Sequence, residues 1–433
     1  MHFPGAMLYK TGFILKIVNT NHIKKFIQKN GCFVVGKTSC TFAAMTRWEN
    51  YQGSAVKIIT RYQGDLPLHH YLKQFFKQHP QMGSRDRKWI SRLVYDYFRL
   101  GHWALDAALE ERIQKAVCIC EPGANDFLAA INPELNELAA LPLERKLESL
   151  TINNSVYSAE QLFPFAQQLS AEIDIKTWAS SLLKQPLLFI RVRPGKRTKV
   201  IDILGNQGVD FQYLDNEAIA LPQGTNLEQL ILDKDWYEIQ DLSSQTTMQL
   251  LTPKPGEYWW DCCAASGGKS ILLKDKEPGI KLFASDIRPS IIQNLQKRLT
   301  AAKVSGFQTG VIDLNQGDLA SLLPRKQFDG ILLDAPCSGS GTWGRTPENL
   351  VYFEAEKIDY YADLQWKIAT NVLPYIKPGG SFVYITCSVF AKENEQMVTR
   401  LLDTGLLEKE SGGLIDGSAK RADSMFAVRF RKK

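Results

Sequence analysis

Apolar residues recur with different periods along this chain, and the changes of period divide it. Over residues 45–150 the period is helical. Leu72, Phe75, Phe76 and His79 share one face, as do Ile90, Leu93, Val94, Tyr97 and Phe98. Between these runs lies Gly83-Ser84-Arg85-Asp86-Arg87-Lys88-Trp89, where Gly83 is placed to close one helix and Ser84 or Asp86 to cap the next. Residues 151–235 mix the periods. Helices are expected over Ala159–Leu169, Lys176–Leu183 and Val200–Gly205, a strand over Leu187–Arg193, and short extended pieces at Phe211–Leu214 and Ala218–Leu221.

From about Trp236, strands and helices alternate. Tyr258–Trp260, Lys281–Ser285, Gln308–Ile312 and Gly330–Leu333 are strand-like runs, each delivering an acid at its carboxyl end: Asp261, Asp286, Asp313 and Asp334. A helix over Asp363–Tyr375 leads through the turn Lys377-Pro378-Gly379-Gly380 to a strand over Ser381–Thr386, and a last strand over Met425–Phe430 closes the sheet. The alternation predicts a doubly wound, mostly parallel α/β domain over 236–433, after an all-α region at 45–150 and a small α/β module at 151–235. Residues 1–44 have no clear period and are expected to be a poorly ordered extension, a product of start-site assignment, with Met45 opening the orderly sequence. Gly31–Thr38 within them fits the phosphate-loop pattern GxxxxGK[ST]. Its apolar Cys32–Val35 run falls inside the supposed loop and no strand precedes it, so it reads as a decoy.

Composition adds bounds. At roughly 150 residues per domain, a chain of this length suggests about three. Apolar and charged fractions of 44% and 23% are those of a soluble globular protein. The eight Cys are too sparse for a secreted disulfide framework, and the six His lack metal-ligand spacing, so no metal is expected. No apolar run is long enough to span a membrane. A cytoplasmic, monomeric enzyme without a membrane partner is the expectation. The net charge of +6 is only mildly basic, but its placement is informative. Arg85, Arg87, Lys88 and Arg92 give one helix a basic face, and Arg191, Arg193, Lys196 and Arg197 form a second cluster. Two clusters in separate regions favour a polyanion, with Arg85, Arg87, Lys88, Arg191, Arg193 and Lys196 as backbone contacts.

Two strand ends carry the candidate chemistry. After the first strand of the alternating region comes Asp261-Cys262-Cys263-Ala264-Ala265-Ser266-Gly267-Gly268-Lys269, whose small residues let the backbone approach a ligand closely just before a helix. Asp286 follows at about the ~20-residue offset of a ribose-binding acid. A cap on the following helix is its simpler role. The pattern fits S-adenosylmethionine as well as a dinucleotide. Two further strand ends present Cys337, in Asp334-Ala335-Pro336-Cys337-Ser338-Gly339, and Cys387, in Thr386-Cys387-Ser388. Hydride transfer needs neither thiol. Methyl transfer to C5 of a pyrimidine does need one: a thiolate adding at C6 turns the electron-poor C5 into a nucleophile, after which a base removes the C5 proton. Spacing leaves the two Cys equivalent.

These segments together resemble the S-adenosylmethionine-dependent RNA cytosine-C5 methyltransferases of the RsmB/Nop/Sun group. Asp261–Lys269 resembles the group's cofactor motif, normally CAAPGGK. Asp334–Gly339 and Thr386-Cys387-Ser388, with Glu393-Asn394-Glu395, match its fourth and sixth motifs, and Gln240–Gln245 resembles its lead-in to the catalytic domain. The resemblance covers 236–433 and implies a class I methyltransferase (Rossmann-like) sheet. It implies Cys387 as nucleophile and Cys337 as the residue that assists product release, with Lys269 and Asp334 beside the target base. It implies a cofactor site of Cys263, Ala264, Ala265, Ser266, Gly267, Gly268, Lys269, Asp286, Asp313 and Asp334. Asp318 is a rival to Asp313, which sits better at its strand end. Ser266 replaces the usual Pro and is expected to loosen the loop slightly. More faintly, the upstream regions resemble the NusB-like helical domain and the RNA-binding module of bacterial ribosomal RNA enzymes. The implied partner is RNA, in particular ribosomal RNA. Two rival functions are an amino-group methyltransferase, which the Asp-Ala-Pro-Cys segment disfavours, and a catalytically silent RNA-binding assembly factor, which the intact Cys337, Cys387 and Lys269 disfavour.

Overall fold

Helices open the described residues because their apolar faces have one another to bury. The computed structural model describes residues 46–214 and 217–433; the expected extension and the phosphate-loop decoy lie outside the described residues. Four helices come first: α1 (Arg47–Arg61), α2 (Leu68–Gln78), α3 (Ser84–Arg99) and α4 (Leu109–Cys120). Thr46 and Glu49 form a reciprocal cap on α1. Gly83 does not close α2, which ends at His79. It stands at the N-cap of α3, where its N–H donates to Asp86 at 2.8 Å. The Asp86 carboxylate reaches back because Gly83 has no side chain to supply a cap.

A two-residue hairpin, β1 (Thr151–Ile152) and β2 (Ser155–Val156), leads to a small antiparallel sheet. Its strands are β3 (Leu188–Val192), β4 (Gln212–Tyr213), β5 (Ala218–Leu221) and β6 (Tyr237–Ile239), in the order β4-β5-β3-β6. The helix expected at Val200–Gly205 runs over Arg197–Asn206 and packs Val200 and Leu204 on this sheet. The pairing of β6 with β3 carries the small sheet to Ile239, beyond the expected change of pattern at Trp236.

The larger sheet has seven strands: β7 (Tyr258–Asp261), β8 (Lys281–Asp286), β9 (Phe307–Val311), β10 (Phe328–Asp334), β11 (Ile376–Thr386), β12 (Leu407–Ile415) and β13 (Met425–Lys432), in the order β12-β13-β11-β10-β7-β8-β9. The pairs from β11 through to β9 are parallel, and β13 is antiparallel to both its neighbours. Alternate residues fill the two faces: Trp260, Ile331, Leu333, Phe382 and Tyr384 on one, Trp259, Leu332, Val383 and Ile385 on the other. The turn expected at Lys377–Gly380 is drawn into β11. β12 was not anticipated, because as an edge strand it exposes Glu408, Lys409 and Glu410 and shows no apolar alternation. The chain winds outward from β7 to β9 and then returns to β10 on the other side of β7. The reversal opens a crevice at the carboxyl ends of β7 and β10.

One apolar cluster joins the N-terminal helices to this sheet. It runs from Trp48 and Phe98 through Phe163 and Trp178 to Trp343, Leu350, Val389 and Phe390. The last four lie in the loops that follow β10 and β11. Polar ties cross the same boundary: the Glu348 carboxylate accepts from the Leu68 N–H at 3.0 Å, and buried Arg99 donates to the Gly344 carbonyl at 2.8 Å. The loops beyond the sheet are therefore packed as core. Trp343→Ala is expected to cost about 3–5 kcal/mol in chemical denaturation, and to lower activity while the large sheet's circular-dichroism signature survives in native buffer.

Candidate active site

The crevice is lined first by the loop after β7. Ala265 takes φ +44°, and Gly267 takes φ +88° with no room for a Cβ, which would meet Leu295 at 2.3 Å. The Ala264 N–H donates to the Ser285 carbonyl at 2.8 Å, holding the loop against β8, and the helix Gly268–Lys276 starts at once. Ser266 does not loosen the loop as expected. Arg298 donates to its Oγ at 2.7 Å and to its carbonyl at 3.2 Å, and itself pairs with Glu238 at 2.5 Å. A hydroxyl provides an anchor that a proline ring lacks.

The strand-end acids take distinct roles. Asp261 is fully buried; its Oδ2 accepts from Ser270 at 2.6 Å while Oδ1 has no partner. Burial pushes its carboxyl up to about 7, against the Ser270 hydrogen bond and with the negative Asp334 adding to the rise. Asp286 ends β8 and accepts from the Arg288 N–H and Nε, each at 3.0 Å. It braces the turn before the helix that starts at Pro289 without capping it, since Arg288 stands at the N-cap with no side-chain cap, and its carboxylate stays at the crevice edge of β8. Asp313 is half-buried past β9 and accepts from the Asn315 N–H at 2.9 Å, whereas Asp318 is exposed. A loop that is left-handed at Ala265 and Gly267, with no room for a Cβ at Gly267, an orphaned buried carboxylate oxygen and acids at successive strand ends suit a ligand with an adenosine ribose and a cationic centre. Cys263 is half-buried in this loop, and Cys262 is buried with its thiol on the Leu332 carbonyl at 3.3 Å.

Across the crevice, Lys269 Nζ and Asp334 Oδ2 lie 2.6 Å apart, joining the cofactor loop to the end of β10. Burial opposes the ammonium charge. Asp334, with Cys387 and Asp261 behind it, outweighs burial and holds Lys269 above the ordinary lysine value.

Because β10 and β11 are hydrogen-bonded neighbours, with Asp334 opposite Ile385, the residues beyond their ends meet. Cys337 Sγ and Cys387 Sγ are 3.2 Å apart. The hydrogen bond that the Cys337 thiol gives to Cys387, then burial, then the negative charges of Cys387 and Glu393 push that thiol well above its usual range. Gly341 lets the two loops close. Its N–H donates to the Cys387 carbonyl at 3.0 Å, and a Cβ there would stand 1.8 Å from the Ser424 carbonyl. Beneath the thiols Glu393, Gln365, Tyr384 and three serines form a buried network. Of these residues Glu393, Ser338 and Ser388 carried a signal in the sequence, through their places in the two Cys motifs; Gln365 and Tyr384 carried none.

The basic residues divide. Arg85 and Lys88 are exposed on α3. Arg87 is half-buried and donates to the Met82 carbonyl at 2.8 Å. Arg191 and Arg193 correct the expectation of free phosphate contacts. Arg191 is 3% exposed and pairs with Asp275 at 2.6 Å, and Arg193 pairs with the same carboxylate at 2.6 Å. They face inward because β3 is a central strand and Asp275, on the helix Gly268–Lys276, needs counter-charge. Lys196 points instead toward the Trp236 ring, 5.9 Å from its centroid. Among the described residues no helix is long and apolar enough to cross a membrane, and no cluster of three or more His, Cys, Asp or Glu is placed to hold a metal.

Over residues 248–413 the chain matches the sequence profile described as 16S rRNA methyltransferase RsmB/F. It is 29% identical over 325 residues to the ribosomal RNA small subunit methyltransferase B of Pectobacterium carotovorum, covering 70% of this chain and 72% of that one. Against the protein of that name from Escherichia coli O127:H6 the identity is 29% over 351 residues, covering 76% and 78%. Among solved structures, PH0851 superposes with a TM-score of 0.65 at 18% identity, covering 90% of this chain and 99% of that one. NSun6 from Pyrococcus horikoshii, solved with SFG, superposes with a TM-score of 0.53 at 17% identity, covering 63% and 96%. These likenesses bear out the fold: a helical region followed by a mixed, mostly parallel seven-strand sheet.

Two outcomes follow from the buried charges. Arg191→Ala is expected to cost up to about 3 kcal/mol of stability, since Arg193 still faces Asp275, and to leave the RNA affinity of the folded protein unchanged in filter binding. Asp261, raised from 3.8 to about 7, binds its proton more tightly in the folded state. Its contribution is full below the unfolded value and is lost as pH rises through about 7. Asp261→Asn should therefore raise the denaturation midpoint at about pH 8.5, by on the order of 1 kcal/mol or more, and change it little near pH 4.

Proposed function

We propose that the chain is a ribosomal RNA cytosine-C5 methyltransferase of the RsmB/F type and performs that reaction through a covalent bond from Cys387 to C6 of the target cytosine. The observation that carries the mechanism is the 3.2 Å approach of Cys337 and Cys387 beside the Lys269–Asp334 pair. S-adenosylmethionine supplies an electrophilic methyl group on a sulfonium. The left-handed loop at Ala265–Gly267 and the acids Asp286 and Asp313 hold it, with Asp334 at the boundary between cofactor and base.

Cys387 adds to C6 as the thiolate, and the electron pair of the C5–C6 double bond becomes available at C5. Lys269 supports the attack. Its ammonium is held charged by Asp334, it interacts with Cys387, and it offers a positive centre to the base. After methylation the C5 proton leaves, the C5–C6 double bond re-forms, and Cys387 departs. Cys337, whose thiol stays protonated, stands within hydrogen-bond reach of the departing sulfur and assists this release. This order of roles is supported by the charges around the two thiols: Cys387 helps to hold Lys269 charged, and Glu393 helps to keep the Cys337 thiol protonated. The target base must leave its stack to enter the crevice.

The RNA backbone would run over exposed cations: Arg85 and Lys88 on α3, with Arg87 beside them, and Lys196, Arg197 and Lys199 in the small module. Lys196 and Lys199 flank Trp236, and Arg197 stacks on Tyr213 at 4.0 Å. Clefts of 790 and 450 Å³ meet at Lys88, Ser91 and Tyr95, the second reaching Arg345 in the loop after β10. They lead from the helical region toward the large sheet.

Cys387→Ala should abolish methyl incorporation from labelled S-adenosylmethionine into ribosomal RNA, and Cys337→Ala should accumulate a covalent RNA adduct on denaturing gels. Adduct accumulation by the Cys387 variant instead would reverse the roles. Lys88→Glu with Lys199→Glu should weaken RNA binding and flatten its salt dependence by roughly 0.7 for each phosphate that the variant no longer neutralises; an unchanged slope would place the RNA elsewhere.

A further inference from the structure

Beneath the two thiols a single carboxylate gathers four donors. Glu393 is 0% exposed. Its Oε1 accepts from the hydroxyls of Ser338 at 2.5 Å and Ser388 at 2.6 Å. Its Oε2 accepts from the Ser338 N–H at 2.9 Å and from Gln365 Nε2 at 2.8 Å. Ser338 is the residue after Cys337, and Ser388 is the residue after Cys387. Gln365 is aimed from below: its Nε2 also donates to the Pro336 carbonyl at 2.9 Å, and its Oε1 accepts from Tyr384 at 2.9 Å. The neighbouring Asn394 holds the same turn, accepting from Thr386 at 2.7 Å and donating to the Ser388 carbonyl at 2.9 Å.

We propose that Glu393 is a positioning residue for the reaction: by tying the turn after Cys337 to the turn after Cys387, its carboxylate sets the separation of the two sulfurs. This rests on the reading that these thiols carry the chemistry. All four partners donate, two to each oxygen, an arrangement that a carboxylate accepts without any partner reversing its role. An amide at this position would turn its own N–H groups toward two of them, and an aspartate is one methylene too short to span both turns. The carboxylate also sets a negative charge beside Cys337 and away from the Lys269 pair, which distinguishes two thiols that are otherwise alike. Burial raises the Glu393 carboxyl above the ordinary glutamate value, and the hydrogen bonds from Ser338, Ser388 and Gln365 limit that rise. The four donors are thus what allows a charged group to remain there.

The test uses the full chain and two readouts. One is steady-state methylation of a ribosomal RNA transcript. The other is the rate at which diamide cross-links Cys337 to Cys387, followed by mass spectrometry; the two thiols give up two electrons and two protons to the reagent, which is reduced to its hydrazine. Glu393→Gln is expected to lower kcat by about 30-fold or more with KM within about twofold, and to slow cross-linking about tenfold. Ser388→Ala, which removes one donor of the four, should move both readouts the same way by less. Cross-linking of Glu393→Gln at the wild-type rate overturns the proposal whatever its activity. So does a fall in kcat that merely tracks loss of folded protein. Failure of the thiol mechanism would show separately, as methylation surviving in Cys387→Ala, and the cross-linking rate would still judge the tie.

Discussion

Trp343 and Phe390 leave the two thiol-bearing turns no conformation of their own. Trp343 lies in the loop after Cys337 and Phe390 in the loop after Cys387. Both pack with Phe163, Phe165 and Phe353, at ring-centroid separations of 4.8–6.3 Å. Phe163 and Phe165 come from far upstream, in the stretch that leads to β3. The aromatic cluster therefore does for the loops what the β-ladder does for the strands. The Ser170 N–H donates to the Val389 carbonyl at 2.8 Å, and Ala391 N–H to the Gln168 carbonyl at 2.8 Å, so the same upstream segment also fixes the backbone after Cys387.

This explains why the catalytic sheet carries the residues of chemistry but does not position them unaided. The Lys269–Asp334 pair is set by the sheet itself, through β7, β10 and the helix that starts at Gly268. The thiol pair is set by adjacent strand ends together with a core shared with the N-terminal helices. The inward ion pairs of Arg191 and Arg193 with Asp275 bind the small sheet to the helix that bears Lys269. Substrate-facing modules and catalytic centre are thus mechanically continuous. The helical region and the thiol-bearing loops share one apolar cluster among the described residues.

The electrostatics follow the same division. Lys269 and Cys387 lie toward the cofactor loop, Cys337 and Glu393 toward the interior. One thiol faces an ammonium held charged, the other a carboxylate held by four donors. Two chemically identical side chains 3.2 Å apart thereby stand in different electrostatic surroundings.

Much of this was legible in the residues. The alternation of strands and helices after Trp236, the acids at strand ends, the small-residue loop before Lys269 and the two Cys motifs fix a doubly wound sheet and its reactive edge, because strand period and loop chemistry are local properties of sequence. An exposed edge strand such as β12 left no such mark, since its charged residues serve solvent and its partner β13 supplies the apolar alternation. Tertiary structure alone decided which cations are free. Arg191 and Lys196 lie five residues apart in one basic run, yet one is buried against Asp275 and the other lies by Trp236, a difference that depends on a helix eighty residues away. It also brought Glu393, Gln365 and Ser338 together beneath the thiols. Convergence of side chains from three separate segments is a property of the folded chain that no spacing within any one of them encodes.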